Sequence, residues 1–383
     1  MEREQKIMKF KSLFLGFLVL VLAVGALIVP KLGESVPSAD ALGGAAMITI
    51  EASSKRILYG HNYHTKRPMA SVTKILTAIA VIENTANLNR KISVPKAAVG
   101  IEGSSIYLAA EEQISILDLL YGLMLQSGND CAVALALVTS GSIENFAKLM
   151  NDTALTAGAK NSNFVNPHGL HHDDHYTSAY DLAMITAYAM QNDTFRQISS
   201  SRKRVIERTR ENSVTHINNK NRLLASFEGA DGVKTGFTKR AGRTFVGSST
   251  RDGMQVIVVV LNCGPMFEDS KTLMNRAFTE FTMQKIACKY TKIADVALSN
   301  SRKKTIGAGV LYDFYYPLKS NEKVNLVINT DNNLAAPIRK GANAGKISFK
   351  LDNDLLFETN LYTIEDASAY NIKDYLKKIL TDW

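Results

Sequence analysis

The 383-residue chain carries 45 lysines and arginines against 36 aspartates and glutamates, a formal charge of +9, with 46% hydrophobic and 21% charged residues. That composition excludes a disordered chain, and the length allows two ordinary domains. The basic balance suits an anionic partner such as anionic lipid or cell-wall polymer, while the lack of a long Lys/Arg cluster or an aromatic-plus-basic motif argues against nucleic acid.

Lys6, Lys9 and Lys11 precede an uncharged run from Ser12 to Val29, which Pro30 ends; small residues follow at Ala39 and Ala41. This is the pattern of a secretory signal over residues 1–41, cleaved after Ala41, with a retained membrane anchor as the alternative. Either way the body of the protein is exported. Cys131, Cys263 and Cys288 form no C-x-x-C or zinc spacing, so free or buried thiols are expected rather than a disulfide framework.

Met47, Ile48 and Ile50, then Arg56–Tyr59, read as two short strands around the turn Ser53-Ser54-Lys55. After Pro68 comes Ser71-Val72-Thr73-Lys74, followed by the apolar run Ile75–Ile82 of a buried helix. On a helix, position i+3 lies about 4.5 Å along the axis on nearly the same face, so Lys74 would stand beside Ser71. An apolar setting favours the neutral amine, and a neutral lysine beside a serine is a base beside a nucleophile. Taken alone, the stretch also reads as an ordinary helix start with a surface lysine.

Ser115 and Asp118 form an N-cap pair for an apolar helix Ile116–Leu125. Ser127-Gly128-Asn129 interrupts it, and a second helix runs from about Asp130 to near Gly141, which places Ser127 and Asn129 on a loop at the tip of buried elements. Further helices fit Ile143–Ala157 and Ala179–Met190, the latter capped by Ser178. Strands follow at Val233–Phe237, Arg243–Thr250 and Met254–Asn262, the last two joined by the hairpin signal Arg251-Asp252-Gly253, then a long amphipathic helix at Asp269–Ile286. Helices in the middle and an antiparallel sheet drawn from both ends give an α+β domain over 42–292. Short β-like runs (Val324–Ile328, Lys346–Leu351, Leu355–Leu361) indicate a small all-β domain over 293–365. In 366–383, Ile372, Tyr375, Leu376, Ile379, Leu380 and Trp383 fall on one helical face opposite Lys373, Lys377 and Lys378. Such a helix can lie in a membrane interface; docking on its own domain is the competing outcome.

The histidine-rich stretch His168, His171, His172, Asp173, Asp174 and His175 has the look of a metal cluster, but reads more simply as a polar surface loop, and no metal is expected. Cys131 reads as a small core residue beside the Asn129 loop.

Ser71-x-x-Lys74, Ser127-Gly128-Asn129 and Lys234-Thr235-Gly236 stand in the order, and in the helix-start, loop and strand contexts, of the S-x-x-K, S-D-N and K-T-G set of penicillin-binding proteins and class A β-lactamases. Together with Phe164–Leu170, His175–Ala183, Asn221–Leu224 and Asp231–Thr238, they make residues 43–290 resemble the serine-type D-alanyl-D-alanine carboxypeptidases. These are the low-molecular-weight penicillin-binding proteins of peptidase family S11, which include penicillin-binding protein 5 and sporulation-type enzymes. The looser match continues over the β domain and terminal helix.

The resemblance implies a β-lactamase/transpeptidase-like fold and hydrolysis of the terminal D-alanine from peptidoglycan stem peptides ending in D-Ala-D-Ala, without a cofactor, at the outer face of the cytoplasmic membrane. β-Lactam antibiotics would acylate the same serine. It implies Ser71 as nucleophile, Lys74 as base and Ser127 as proton relay. Asn129, Lys234, Thr235 and Gly236 would bind substrate, and the backbone N–H groups of Ser71 and Phe237 would form the oxyanion hole. A β-lactamase would need a deacylating glutamate in E-x-x-L-N; Glu144, Glu207, Glu211 and Glu228 stand in no such context, and Gly128 replaces its aspartate. An inactive wall-binding scaffold would be expected to lack a motif residue, and all are present. D,D-endopeptidase activity uses the same machinery.

Overall fold

A computed structural model describes residues 42–331 and 334–381; the expected signal segment and Trp383 lie outside them. The chain divides into two compact units, one running to Phe281 and the other opening at Thr282. In the first, β1 (Gly44–Glu51) and β2 (Ile57–His61) come from the start. Two short ribbons follow, β3 (Lys91–Ser93) with β4 (Gln113–Ser115) and β5 (Lys203–Val205) with β6 (His216–Asn218). β7 (Ala230–Thr238), β8 (Gly242–Arg251) and β9 (Met254–Cys263) close the unit. The antiparallel sheet runs in the order β2-β1-β9-β8-β7, so β9, with Val256–Leu261 all buried, is central and β7 is an edge. Asp252 and Gly253, both at positive φ, make the turn that joins β8 to β9.

Beside the sheet lie α1 (Lys74–Glu83), α2 (Ile116–Leu125), α3 (Asn129–Ser140), α4 (Ile143–Thr156) and α5 (Ala179–Ala189); α5 packs on β1 and β9, and α2 to α5 all pack against α1. Every residue of α1 from Lys74 to Ile82 is buried, so it is the helix the others surround. Ser115 and Ser178 cap α2 and α5 by accepting hydrogen bonds from the N–H groups of Asp118 and Asp181 at 2.9 and 3.0 Å. A further helix, α6 (Asp193–Ser200), has no counterpart in the sequence reading; it is short and polar, and Asn192 caps it.

The helix expected over Asp269–Ile286 runs instead as α7 over Met266–Glu280. At Phe281 the backbone turns extended and the ring packs edge-on against Tyr59, with centroids 6.0 Å apart. Thr282–Ala287 then forms β10, which pairs with β13 (Phe314–Leu318). The second unit therefore opens at Thr282 and not at 293, because Met283 and Ile286, which suit a helical period, serve a strand. Its main sheet has the order β11-β12-β16-β15-β14, from β11 (Ala294–Ala297), β12 (Thr305–Gly309), β14 (Val324–Thr330), β15 (Asn343–Leu351) and β16 (Asp354–Thr363). Phe314 of β13 stacks on Phe357 of β16, and Phe349 of β15 packs against both rings. The last helix, α8, spans Ile372–Thr381.

The break between α2 and α3 depends on close helix approach. A methyl group added at Gly122 would meet Cys131 Sγ at 2.7 Å and Ile106 Cδ1 at 3.1 Å. Overpacking of this kind costs about 1–3 kcal/mol, against the roughly 1 kcal/mol that alanine gains over glycine within a helix. Gly122→Ala is therefore expected to lower the urea midpoint in the wild-type background. In a Cys131→Ala background, where the sulfur is gone, the same change is expected to be neutral or stabilising.

Candidate active site

Ser71 lies in a 3-10 turn, Ala70–Thr73, that runs directly into α1. One turn on, Lys74 is completely buried and its Nζ lies 3.0 Å from Ser71 Oγ. The same nitrogen donates to Asn129 Oδ1 at 2.7 Å and to the His168 carbonyl at 2.6 Å. Burial holds the Lys74 amine far below the usual lysine range, and the Lys234 and Lys220 charges push it the same way. A neutral amine has two N–H bonds and one lone pair. The two carbonyl acceptors take both N–H bonds, so the lone pair is left for the Ser71 hydroxyl, which then donates to it.

Asn129 opens α3, directly after the loop that the sequence predicts, with Ser127 buried and at φ +64°. Its backbone N–H donates to Ser104 O at 2.7 Å and its Nδ2 to Glu102 O at 2.5 Å, which turns Oδ1 toward Lys74. The loop that supplies these acceptors is pinned. Asp130 Oδ2 accepts from Ser105 Oγ at 2.6 Å and from the N–H groups of Ile106 and Leu108 at 3.1 and 3.0 Å. Arg208 bridges Glu112 through two 2.7 Å bonds and donates to the carbonyls of Ile106 and Tyr107.

The third wall is edge strand β7. Lys234 is buried and donates to the Thr235 carbonyl at 3.1 Å; burial, and then the Lys220 charge, bring it down to about 7. Thr235 is half-buried and Phe237 exposed. A Cβ at Gly236 would fall 3.0 Å from the Ser71 backbone nitrogen and 2.4 Å from Thr244 Oγ1, so only glycine lets the strand pass this close to the Ser71 turn.

Ser71, Lys74, Asn129, Lys234 and Gly236 are thus joined by contact or by charge; Thr235 and Phe237 are their immediate neighbours in the chain, and Ser127 stands two residues before Asn129. Lys220 is the side chain that motif reasoning missed. It stands beside the Asn221–Leu224 segment, exposed to solvent, and donates to Ser104 Oγ at 3.0 Å. The Glu102 and His168 carbonyls leave no trace in side-chain identity. The histidine stretch splits: His171 and His172 are exposed beside Asp173 and Asp174, while His175 is buried and held near 3 by its desolvation. Among the described residues, no three His, Cys, Asp or Glu side chains converge as a metal site would require.

Residues 34–264 match the peptidase S11 family described as D-alanyl-D-alanine carboxypeptidase, and residues 281–368 match the C-terminal domain of penicillin-binding protein 5. The chain is 29% identical over 346 residues to the D-alanyl-D-alanine carboxypeptidase DacF of Bacillus subtilis, covering 88% of this chain and 89% of that one. It is 33% identical over 277 residues to the D-alanyl-D-alanine carboxypeptidase of Streptomyces sp. strain K15, covering 67% and 94%. In structure it is similar to penicillin-binding protein 5 from Haemophilus influenzae, with a TM-score of 0.73 and 28% identity, covering 88% of this chain and all of that one.

The charge coupling can be read directly. Lys234 is expected to lose its proton near pH 7 in an NMR titration of lysine-labelled protein. Lys220→Gln removes a positive neighbour and is expected to move that titration to higher pH. An unmoved Lys234 would show that burial alone sets its value.

Proposed function

Because the chain belongs to the S11 family of D-alanyl-D-alanine carboxypeptidases and is a penicillin-binding serine D,D-carboxypeptidase, we propose that its reaction runs through an acyl-enzyme on Ser71. The observation that carries this assignment is the neutral Lys74 amine, whose N–H bonds are already spent on Asn129 and His168 and whose lone pair faces Ser71 Oγ.

Ser71 Oγ attacks the carbonyl carbon between the two D-alanines while its proton passes to Lys74. The negative charge gathers on the carbonyl oxygen, where the N–H groups of Ser71 and Phe237 receive it; the closeness of Gly236 to the Ser71 nitrogen supports pairing these two donors. The C–N bond then breaks. Lys74 returns its proton to the departing amine by way of the Ser127 hydroxyl, and D-alanine leaves. Water attacks the ester and regenerates Ser71. Asn129 holds the acyl-side amide, Thr235 and cationic Lys234 take the terminal carboxylate, and Gly236 admits the substrate backbone against β7. A β-lactam, which presents the same carboxylate beside a reactive carbonyl, acylates Ser71 in the same way.

Intact-mass measurement of the chain from Leu42 onward after brief benzylpenicillin treatment is expected to show one adduct per chain, mapping to Ser71 and absent in Ser71→Ala. A folded protein that forms no adduct and leaves the drug intact would overturn the assignment in favour of a scaffold. Rapid drug hydrolysis without an adduct would mark a β-lactamase.

We further propose that residues 1–41 direct export and that α8 seats the enzyme on the membrane surface. No helix among the described residues is long and apolar enough to cross a bilayer. In α8, Ile372, Leu376, Ile379 and Leu380 are all exposed, two of them at 80%, while Asp374 on another face accepts from Arg302 Nε at 2.6 Å. A helix docked by its polar side, with an uncovered apolar stripe, suits an interfacial position. The chain from Leu42 is expected to float with anionic phospholipid vesicles. Replacing those four residues with serine should abolish flotation while leaving penicillin binding intact. Flotation that persists in that variant would place the membrane contact elsewhere.

A further inference from the structure

Ala70, the residue before the nucleophile, is buried and at φ +53°, a left-handed conformation that is strained for an alanine. Such a conformation persists only if its surroundings hold it. One holder is Thr73, whose buried hydroxyl donates to the Ala70 carbonyl at 2.8 Å. Thr73 Oγ1 also lies 2.9 Å from His175 Nε2, and His175 Nδ1 accepts from the Val165 N–H at 3.1 Å.

These contacts fix the tautomer. Nδ1 is an acceptor, so the imidazole hydrogen is on Nε2 and donates to Thr73, whose own hydrogen is committed to Ala70. The ring is 3% exposed, stacks edge-on to Phe164, and is kept neutral by burial. The chain of donors therefore has one direction: Val165 N–H to His175, His175 to Thr73, Thr73 to the Ala70 carbonyl.

The Ala70 carbonyl and the Ser71 N–H belong to one planar trans peptide and point to opposite sides. Holding the carbonyl inward holds the Ser71 N–H outward. We propose that His175 is a positioning residue for the nucleophile, acting through Thr73 to hold the Ala70–Ser71 peptide so that both Ser71 Oγ and the Ser71 N–H face the reacting carbonyl. This rests on the assignment of Ser71 as the acylated serine. His175 does not touch the substrate; its contribution is to orientation, which is realised in the transition state rather than in binding.

Acylation by a fluorescent penicillin, followed by quench-flow, yields three separable quantities: the rate constant at saturation, the apparent dissociation constant, and the burst amplitude. An absence of adduct in the wild type would defeat the Ser71 assignment itself. Given a wild-type adduct, His175→Asn keeps an acceptor for the Val165 N–H but does not reach Thr73. Its saturating rate constant is expected to fall on the order of 10- to 100-fold, with dissociation constant and amplitude unchanged. His175→Gln, whose amide reaches Thr73, should restore most of the rate. Thr73→Val should reproduce the loss and Thr73→Ser the rescue, and the Thr73→Val/His175→Asn double variant should be no slower than either single change. If His175→Asn does not fold, the Val and Ser variants at Thr73 carry the test alone. A wild-type rate constant with a reduced amplitude would mean that His175 only stabilises the fold, and additive losses would mean that the two side chains act separately; either result overturns the proposal.

Discussion

The site depends on keeping one lysine out of water. A buried ammonium is unfavourable unless an anion pairs with it, and Lys74 hydrogen-bonds only to carbonyl oxygens and a hydroxyl, while burial and the Lys234 charge outweigh the opposing pull of Asp130. The protein therefore stabilises the amine and supplies it with acceptors from segments far apart in sequence: Asn129 at the start of α3 and His168 in the connection ahead of α5. Moving either would leave an N–H of Lys74 free to turn toward Ser71 and occupy the position the lone pair must hold. The same logic explains the acceptors behind Asn129. Its amide must present oxygen, not nitrogen, to Lys74, and the Glu102 carbonyl ensures this by taking the NH2 end.

Three non-glycine residues in the segments that build the site have positive φ: Ala70 before Ser71, Ser127 in the loop ahead of α3, and Tyr107 in the loop that Asp130 pins. Each such residue costs on the order of 1 kcal/mol, so the surroundings must over-determine them. Around Tyr107 this is visible in the Asp130 carboxylate and the Arg208–Glu112 pair, which together bind the backbone of 105–108 from both sides. Around Ala70 it is visible in Thr73 below, and in Thr244, whose hydroxyl donates to the Met69 carbonyl at 3.0 Å from β8. Strain at the nucleophile and hydrogen bonds from fixed elements are two aspects of one arrangement: the turn cannot relax without breaking contacts to the sheet and to the 164–177 segment.

Much of this was legible in the sequence, where side-chain identity and periodicity carry the signal. The run Ile75–Ile82 could only be a buried helix, Ser115 and Ser178 announced helix starts, and the break at Ser127-Gly128-Asn129 fell between two apolar runs. What was not legible had no such signature. The Glu102 and His168 carbonyls could come from any residue type, and Lys220 is a surface lysine that only the fold brings to Ser104 and within charge reach of Lys234. The α7 to β10 change failed for a different reason. Met283 and Ile286 continue a helical period, and only the pairing of β10 with β13 and the packing of Phe281 on Tyr59 decide for a strand. His175 was grouped with exposed histidines by its neighbours in sequence, although its contacts are with the turn about a hundred residues earlier.

The three lysines of the site act on one another through their spacing. Lys220 lowers Lys234, and both lower Lys74. With Lys234 near 7, the free enzyme at neutral pH holds it as a mixture of charged and neutral forms. On the proposed mechanism a substrate carboxylate lies beside Lys234 and favours its charged form, and linkage then has substrate binding draw a proton into the site. That cation sits within electrostatic reach of Lys74 and adds to the burial that keeps its amine neutral. Once Ser71 has given up its proton, the negative charge developing on the substrate oxygen offsets the repulsion between the two lysines. The repulsion that disfavours a cationic Lys74 in the ground state is therefore weakest when Lys74 must be cationic. On the proposed assignment, Lys234 thus serves both as the partner of the substrate carboxylate and as a charge that favours the neutral Lys74 amine in the free enzyme.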